Sequence, residues 1–146
     1  MGMPSFTERL AAPGDHHLPV LEREVSELMT PGVTSIVESA SLTLVFEAFA
    51  AHRVHALLVT GASTGRALGW ITARGLLAWV ERDVSLLPAR NAVTERAITI
   101  PPHALGREAL TTLLQKGVTH LLVRQSTEVT PQGVVSELDL VVKTPR

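Results

Sequence analysis

Two stretches of this chain repeat each other at a constant spacing of 64 residues. Gly69-Trp70-Ile71-Thr72 is matched by Gly133-Val134-Val135-Ser136, and Leu57-Leu58-Val59 by Leu121-Leu122-Val123. Ile36, Val54 and Leu76 find Ile100, Val118 and Leu140 at the same offset, with no gap needed. A constant offset running through two apolar runs and a glycine marks a duplicated structural unit. Each copy is too small to bury its own apolar face, so the two must stack around a joint core. Such a pair, related by a pseudo-two-fold axis, leaves two equivalent clefts between the copies, natural places for a ligand.

Within each copy the pattern reads β-α-β-β-α, which makes the fold class α/β (α+β). Thr34 to Val37 is a short extended run. Leu42, Val45, Phe46, Phe49 and Ala50 then recur at helical spacing, with Ser39 as the expected N-cap. Ala56 to Thr60 is a continuous apolar run, expected of a strand covered on both faces. Gly61 to Gly65 is a turn, Leu68 to Thr72 a second strand, and Leu76 to Val80 the start of a helix. In the second copy Ala109, Leu110, Leu113 and Leu114 form the helical face, and Val118 to Val123 and Gly133 to Ser136 are the strands. Residues 1–19, broken by Pro4, Pro13, Gly14 and Pro19, read as a flexible N-terminal arm. The first repeat, with a leading helix through Leu21, Val25, Leu28 and Met29, takes 20–82. A connector with Pro88 spans 83–91, and the second repeat takes 92–143.

Composition narrows the function classes. Apolar residues are 45% of the chain and charged residues 18%, too greasy for disorder and low enough in charge to suggest a covered surface. The net charge of −1 gives no electrostatic case for nucleic acid or an anionic membrane. The absence of cysteine excludes disulfides and thiolate chemistry and fits a cytoplasmic protein. No apolar run is long enough for a membrane span, and the N-terminus lacks signal-peptide character. His16-His17 is a poor chelator with no third ligand nearby, so no metal is expected. Gly61-Ala62-Ser63-Thr64-Gly65 imitates a hydrolase nucleophile elbow and the cofactor turn of short-chain dehydrogenases. A strand, not a helix, is expected after it, Ala67 stands where the final glycine belongs, and the chain has no tyrosine. No acid/base dyad or phosphate loop is present, so an enzyme is not expected.

Val25-Ser26-Glu27-Leu28-Met29-Thr30-Pro31, Ala56-Leu57-Leu58-Val59 and Gly69-Trp70-Ile71-Thr72, with the second set ending Gly133-Val134-Val135-Ser136-Glu137-Leu138-Asp139-Leu140, resemble a CBS domain, the cystathionine β-synthase type. Two in tandem resemble a Bateman module. The resemblance, over about 20–143, implies a stand-alone regulatory module that senses an adenosine-containing ligand (AMP, ATP, NAD or S-adenosylmethionine) in an inter-repeat cleft. It implies a homodimer that signals to a protein partner in trans, with no cofactor required. The ligand element of the family is Gly, two apolar residues, Thr or Ser, two residues, then Asp. Gly133, Ser136 and Asp139 keep it, whereas Thr72 is followed by Gly75 where Asp belongs. A carboxylate at a helix start can grip both ribose hydroxyls, and the neighbouring hydroxyl can reach ribose or phosphate. The resemblance also places His55-Ala56 and Thr119-His120 along an adenine pocket, with Ser35-Ile36 and Thr99-Ile100 as its other wall. His52-Arg53-Val54-His55 resembles the phosphate-contacting stretch of the gamma subunit of AMP-activated protein kinase. Arg74, beside a helix start, is a further phosphate candidate. The competing reading, favoured by Gly75, is a ligand-free structural or oligomerisation module with degenerate clefts.

Overall fold

The computed structural model describes residues 18–126 and 130–144. The expected arm lies outside the described residues except for Leu18 and Pro19, as does His16-His17. A 3-10 turn at Val20–Glu22 leads into α1 (Val25–Leu28) and β1 (Thr30–Pro31). The first repeat is β2 (Ser35–Val37), α2 (Leu42–His52), β3 (Ala56–Thr60), β4 (Ala67–Thr72) and α3 (Ala73–Leu76), which runs on into a 3-10 turn at Leu77–Trp79. A further 3-10 turn, Ala89–Ala92, precedes β5 (Glu95–Arg96). The second repeat is β6 (Ile98–Ile100), α4 (Gly106–Lys116), β7 (His120–Val123), β8 (Gly133–Ser136) and α5 (Glu137–Val142).

The elements form two sheets, ordered β2-β3-β4-β5 and β1-β8-β7-β6. In each repeat the first pair is parallel, joined through a helix, and the second is an antiparallel hairpin. The fourth strand of each sheet is exchanged. β1, which precedes the first repeat, pairs with β8, placing Thr30 opposite Val134 and Pro31 opposite Gly133. β5, which precedes the second repeat, pairs with β4, placing Trp70 opposite Glu95 and Gly69 opposite Arg96. The paired glycines make this crossing possible. A Cβ at Gly133 would collide with the Thr30 carbonyl and the Met29 sulfur, and one at Gly69 with the Glu95 carbonyl and the Val93 side chain. Gly133 thus sits under a crossing backbone.

Three apolar clusters follow from this layout. Leu42, Val45, Leu57, Val59, Ile71 and Leu76 fill the first repeat, closed by Ala89 and Ala92. Ile100, Ala109, Leu113, Leu121, Val123, Val135 and Leu140 fill the second, closed by Val20, Val25 and Leu28. The leading helix, grouped by sequence with the first repeat, therefore packs on the second. Between the sheets lie Leu58, Trp70 and Leu122. Trp70 is buried at this seam, while Trp79 is only partly buried and carries the Arg82 guanidinium over its ring.

Local details depart from the sequence reading in two places. The N-cap of α2 is Ser41, whose Oγ accepts from the Leu44 N–H, because the helix begins at Leu42, beyond the reach of Ser39. α3 begins at Ala73 rather than Leu76, because Thr72 caps it through the Gly75 N–H. The Gly61–Gly65 segment is a hairpin turn between antiparallel β3 and β4, with Gly65 at φ +70°. That geometry removes both the nucleophile elbow and the dinucleotide turn.

Candidate functional site

At one end of the seam between the sheets, β3 and β7 begin and β4 and β8 end. There the repeats enclose a cleft of about 560 Å³. Its walls are pairs of equivalent residues: His55 with Thr119, Thr72 with Ser136, and Arg74 with Leu138. The same backbone bond recurs on both sides. The His55 carbonyl accepts from the Ala73 N–H, and the Thr119 carbonyl accepts from the Glu137 N–H, each at 3.0 Å. The two helix starts are thereby tied to the two strand starts, and both caps face one space. The cleft lies between the two copies and is lined by both repeats.

The caps are built differently. Thr72 Oγ1 accepts from the Gly75 N–H at 3.0 Å. Ser136 and Asp139 form a reciprocal box: Ser136 Oγ accepts from the Asp139 N–H, while Asp139 Oδ2 accepts from the Ser136 N–H at 2.8 Å and from its hydroxyl at 3.1 Å. The other Asp139 oxygen stands 3.9 Å from Lys143 Nζ, and that ammonium donates to the Leu28 carbonyl. Asp139 is therefore one hydrogen bond behind the cleft wall, holding Ser136, which lines it.

The second device is a chain of polar groups beside Ser136, whose cross-strand partner is His120. Glu95, carried in by exchanged β5, accepts from the Thr119 N–H at 2.9 Å and from the Thr119 hydroxyl. Thr119 Oγ1 also lies 2.7 Å from His120 Nδ1. A threonine hydroxyl has one proton, and a carboxylate only accepts, so Nδ1 must donate to Oγ1. Neutral His120 is thus the Nδ1–H tautomer, with Nε2 an acceptor. Its ring lies 5.6 Å from the Trp70 ring, tilted by 38°. Burial pushes the His120 imidazole below its ordinary value of 6.5; Glu95, Glu137 and Asp139 oppose this and His55 adds to it.

Of the sequence candidates, Ser136, His120 and Arg74 line the cleft, together with His55 and Thr119. Gly133 lies beneath β1, as described. Thr99 is exposed in β6 and Ile100 is buried in the core of the second repeat, so neither reaches the cleft. His52 and Arg53 form the exposed end of α2, where Arg53 is the C-cap at φ +52° and gives its N–H to the Phe49 carbonyl. Glu95 was missed, as was Thr94 beside it. The signal was available: Met29 and Val93 are both apolar and 64 residues apart, so the repeat extends back into the exchanged strands. Among the described residues no group of three or more His, Asp or Glu could hold a metal ion.

Comparison with known proteins agrees with this architecture. The CBS-domain family model matches residues 25–82 and 89–143, and the chain belongs to that family. Tandem CBS modules are regulatory, ligand-binding units. An uncharacterised conserved protein from Pyrococcus horikoshii is similar in structure, with a TM-score of 0.70 and 18% identity over 86% of this chain and 95% of that one. The CBS domain of a bacterial CNNM/CorC family Mg2+ transporter in complex with ATP superimposes with a TM-score of 0.69 at 23% identity, covering 85% of this chain and 88% of that one. The hexameric CBS-CP12 protein from bloom-forming cyanobacteria gives a TM-score of 0.73 at 17% identity, covering 85% of this chain and 69% of that one. No curated protein sequence matches this chain. Among the described residues no helix is long and apolar enough to cross a membrane.

Proposed function

We propose that the inter-repeat cleft binds an adenosine-containing ligand and that its occupancy is passed to a partner protein. The carrying observation is the cleft itself. At about 560 Å³ it falls within the range of small-molecule sites, and it takes an equivalent set of groups from each repeat. A ligand seated there touches both halves, so its binding energy depends on their relative tilt. That dependence is what a sensor requires. Arg74 supplies a cation for phosphate, Thr72 and Ser136 supply hydroxyls, and Nε2 of neutral His120 supplies an acceptor for an amino group. The ATP complex of the structurally similar transporter CBS domain supports the ligand class.

Isothermal titration with AMP, ADP, ATP, NAD and S-adenosylmethionine tests the reading. Saturable binding of at least one below millimolar concentration is expected. Arg74→Ala should weaken a phosphate-bearing ligand by about 1.5–3 kcal/mol. Silence from all five overturns the reading and favours the structural module, for which Gly75 and the self-satisfied Asp139 already speak. The module is further proposed to act as a homodimer. Leu77, Val80, Leu114, Val141 and Val142 are exposed on the helices and their extensions, and a second copy would cover them.

A further inference from the structure

At the opposite end of the seam, where β3 and β7 finish, lies a second cleft of about 360 Å³. It is independent of the ligand cleft, sharing no lining residue with it. Arg124 reaches its wall from the residue after β7, the position equivalent to Thr60 on the other side. The Nε–H of Arg124 is buried and, among the described residues, has no hydrogen-bond partner, and the side chain makes no ion pair with them. Arg124 as a whole is half-buried, but a buried Nε–H left without an acceptor costs on the order of 1–3 kcal/mol, so it calls for something to receive it. The hydroxyls of exposed Ser35 and Thr130 line the same space and make no hydrogen bond among the described residues, whereas Thr60 gives its proton to the Ile36 carbonyl. Among the described residues no carboxylate lines this cleft, and Arg124 is the one charged side chain in its wall. Leu58 and Pro131 make the rest of the wall apolar.

From these groups we infer a second binding site, specific for a phosphate group, either free phosphate or the phosphoryl end of a small monoester. The guanidinium offers planar paired donors, the two hydroxyls rotate to meet the remaining oxygens, and Leu58 and Pro131 can border an organic remainder.

The arginine Nε–H signals of the 15N-labelled protein test this directly. Titration with inorganic phosphate should move one Nε–H signal saturably, and that signal should be missing from the spectrum of Arg124→Lys. Matching ionic strength with chloride should leave it in place. Glycerol phosphate moving it at lower concentration than inorganic phosphate would identify a monoester as the better ligand; the reverse order would identify the free ion. Because Arg124→Lys can perturb folding, the double variant Ser35→Ala/Thr130→Ala is the second probe, and it should weaken phosphate about tenfold or more while keeping the Arg124 signal. The site is overturned if no Nε–H signal moves, if the moving signal survives in Arg124→Lys, or if it disappears instead in Arg74→Ala. The last outcome would assign phosphate to the nucleotide cleft. Loss of nucleotide binding at that cleft would leave this result unchanged.

Discussion

His120 shows how much one residue inherits from its neighbours. Its tautomer is set by Thr119, whose hydroxyl is in turn committed to Glu95. Removing the carboxylate strands the half-buried Thr119 N–H and frees the hydroxyl. Glu95→Ala should therefore cost about 1–3 kcal/mol in a chemical denaturation curve. The same network sets a pH dependence. Burial holds the folded His120 below 6.5, so the folded state takes up a proton less readily than the unfolded chain. Stability from this group is complete above about pH 6.5 and is lost as pH falls from there through the folded value. Melting temperatures across this window should decline in the wild type, and His120→Gln should remove that part of the decline. An identical pH profile in His120→Gln would contradict the assignment. Asp139 carries a similar lesson: the sequence motif located it correctly at a helix start, but its carboxylate closes a capping box. Asp139→Ala should cost about 0.5–2 kcal/mol of stability even without ligand, read from the denaturation midpoint.

At the level of elements, the repeat spacing was enough to place most strands and helices. Ala56–Thr60 and Gly133–Ser136 fall where the apolar runs stand, because a strand covered on both faces leaves an uninterrupted signature. The exchanged strands were not legible that way. Thr30–Pro31 and Glu95–Arg96 are two residues each and carry no apolar run, so their marks are the glycine opposite and the preceding Met29/Val93 pair. Gly69 was read as part of a strand and Gly133 as part of a ligand element, and each also provides the clearance for a crossing backbone. Gly69→Ala should destabilise by at least about 1–3 kcal/mol, since the colliding atoms include backbone that cannot move aside. The helix ends hold a second duplicated feature. Arg53 and Gly117, 64 residues apart, cap α2 and α4 in the left-handed region, at φ +52° and +66°. Glycine suits that conformation and arginine does not. Arg53→Gly should raise stability by roughly 0.5–1 kcal/mol, the left-handed strain relieved less the added chain entropy. A fall in melting temperature would show that the Arg53 side chain does more than cap.

At the scale of the whole molecule, the sheets meet along Leu58, Trp70 and Leu122, leaving a cleft at each end of that seam. The seam was foreseeable, since two copies of an incomplete unit must share a core. Which side chains face its ends was not, because that depends on strand exchange and on caps closing inward or outward. The exposed apolar helix surface predicts a dimer, and light scattering after size exclusion should give twice the chain mass at micromolar concentration; a clean monomer would contradict it. The proposed sensing role requires that the cleft framed by His55, Arg74, Thr119, His120 and Ser136 be a ligand site. Titration calorimetry of the intact protein against the five adenosine-containing ligands is the most direct measurement of that. Saturable binding of at least one below millimolar concentration, weakened by Arg74→Ala, is the predicted result. The absence of binding by all five, or binding at full strength in Arg74→Ala and Ser136→Ala alike, would contradict it.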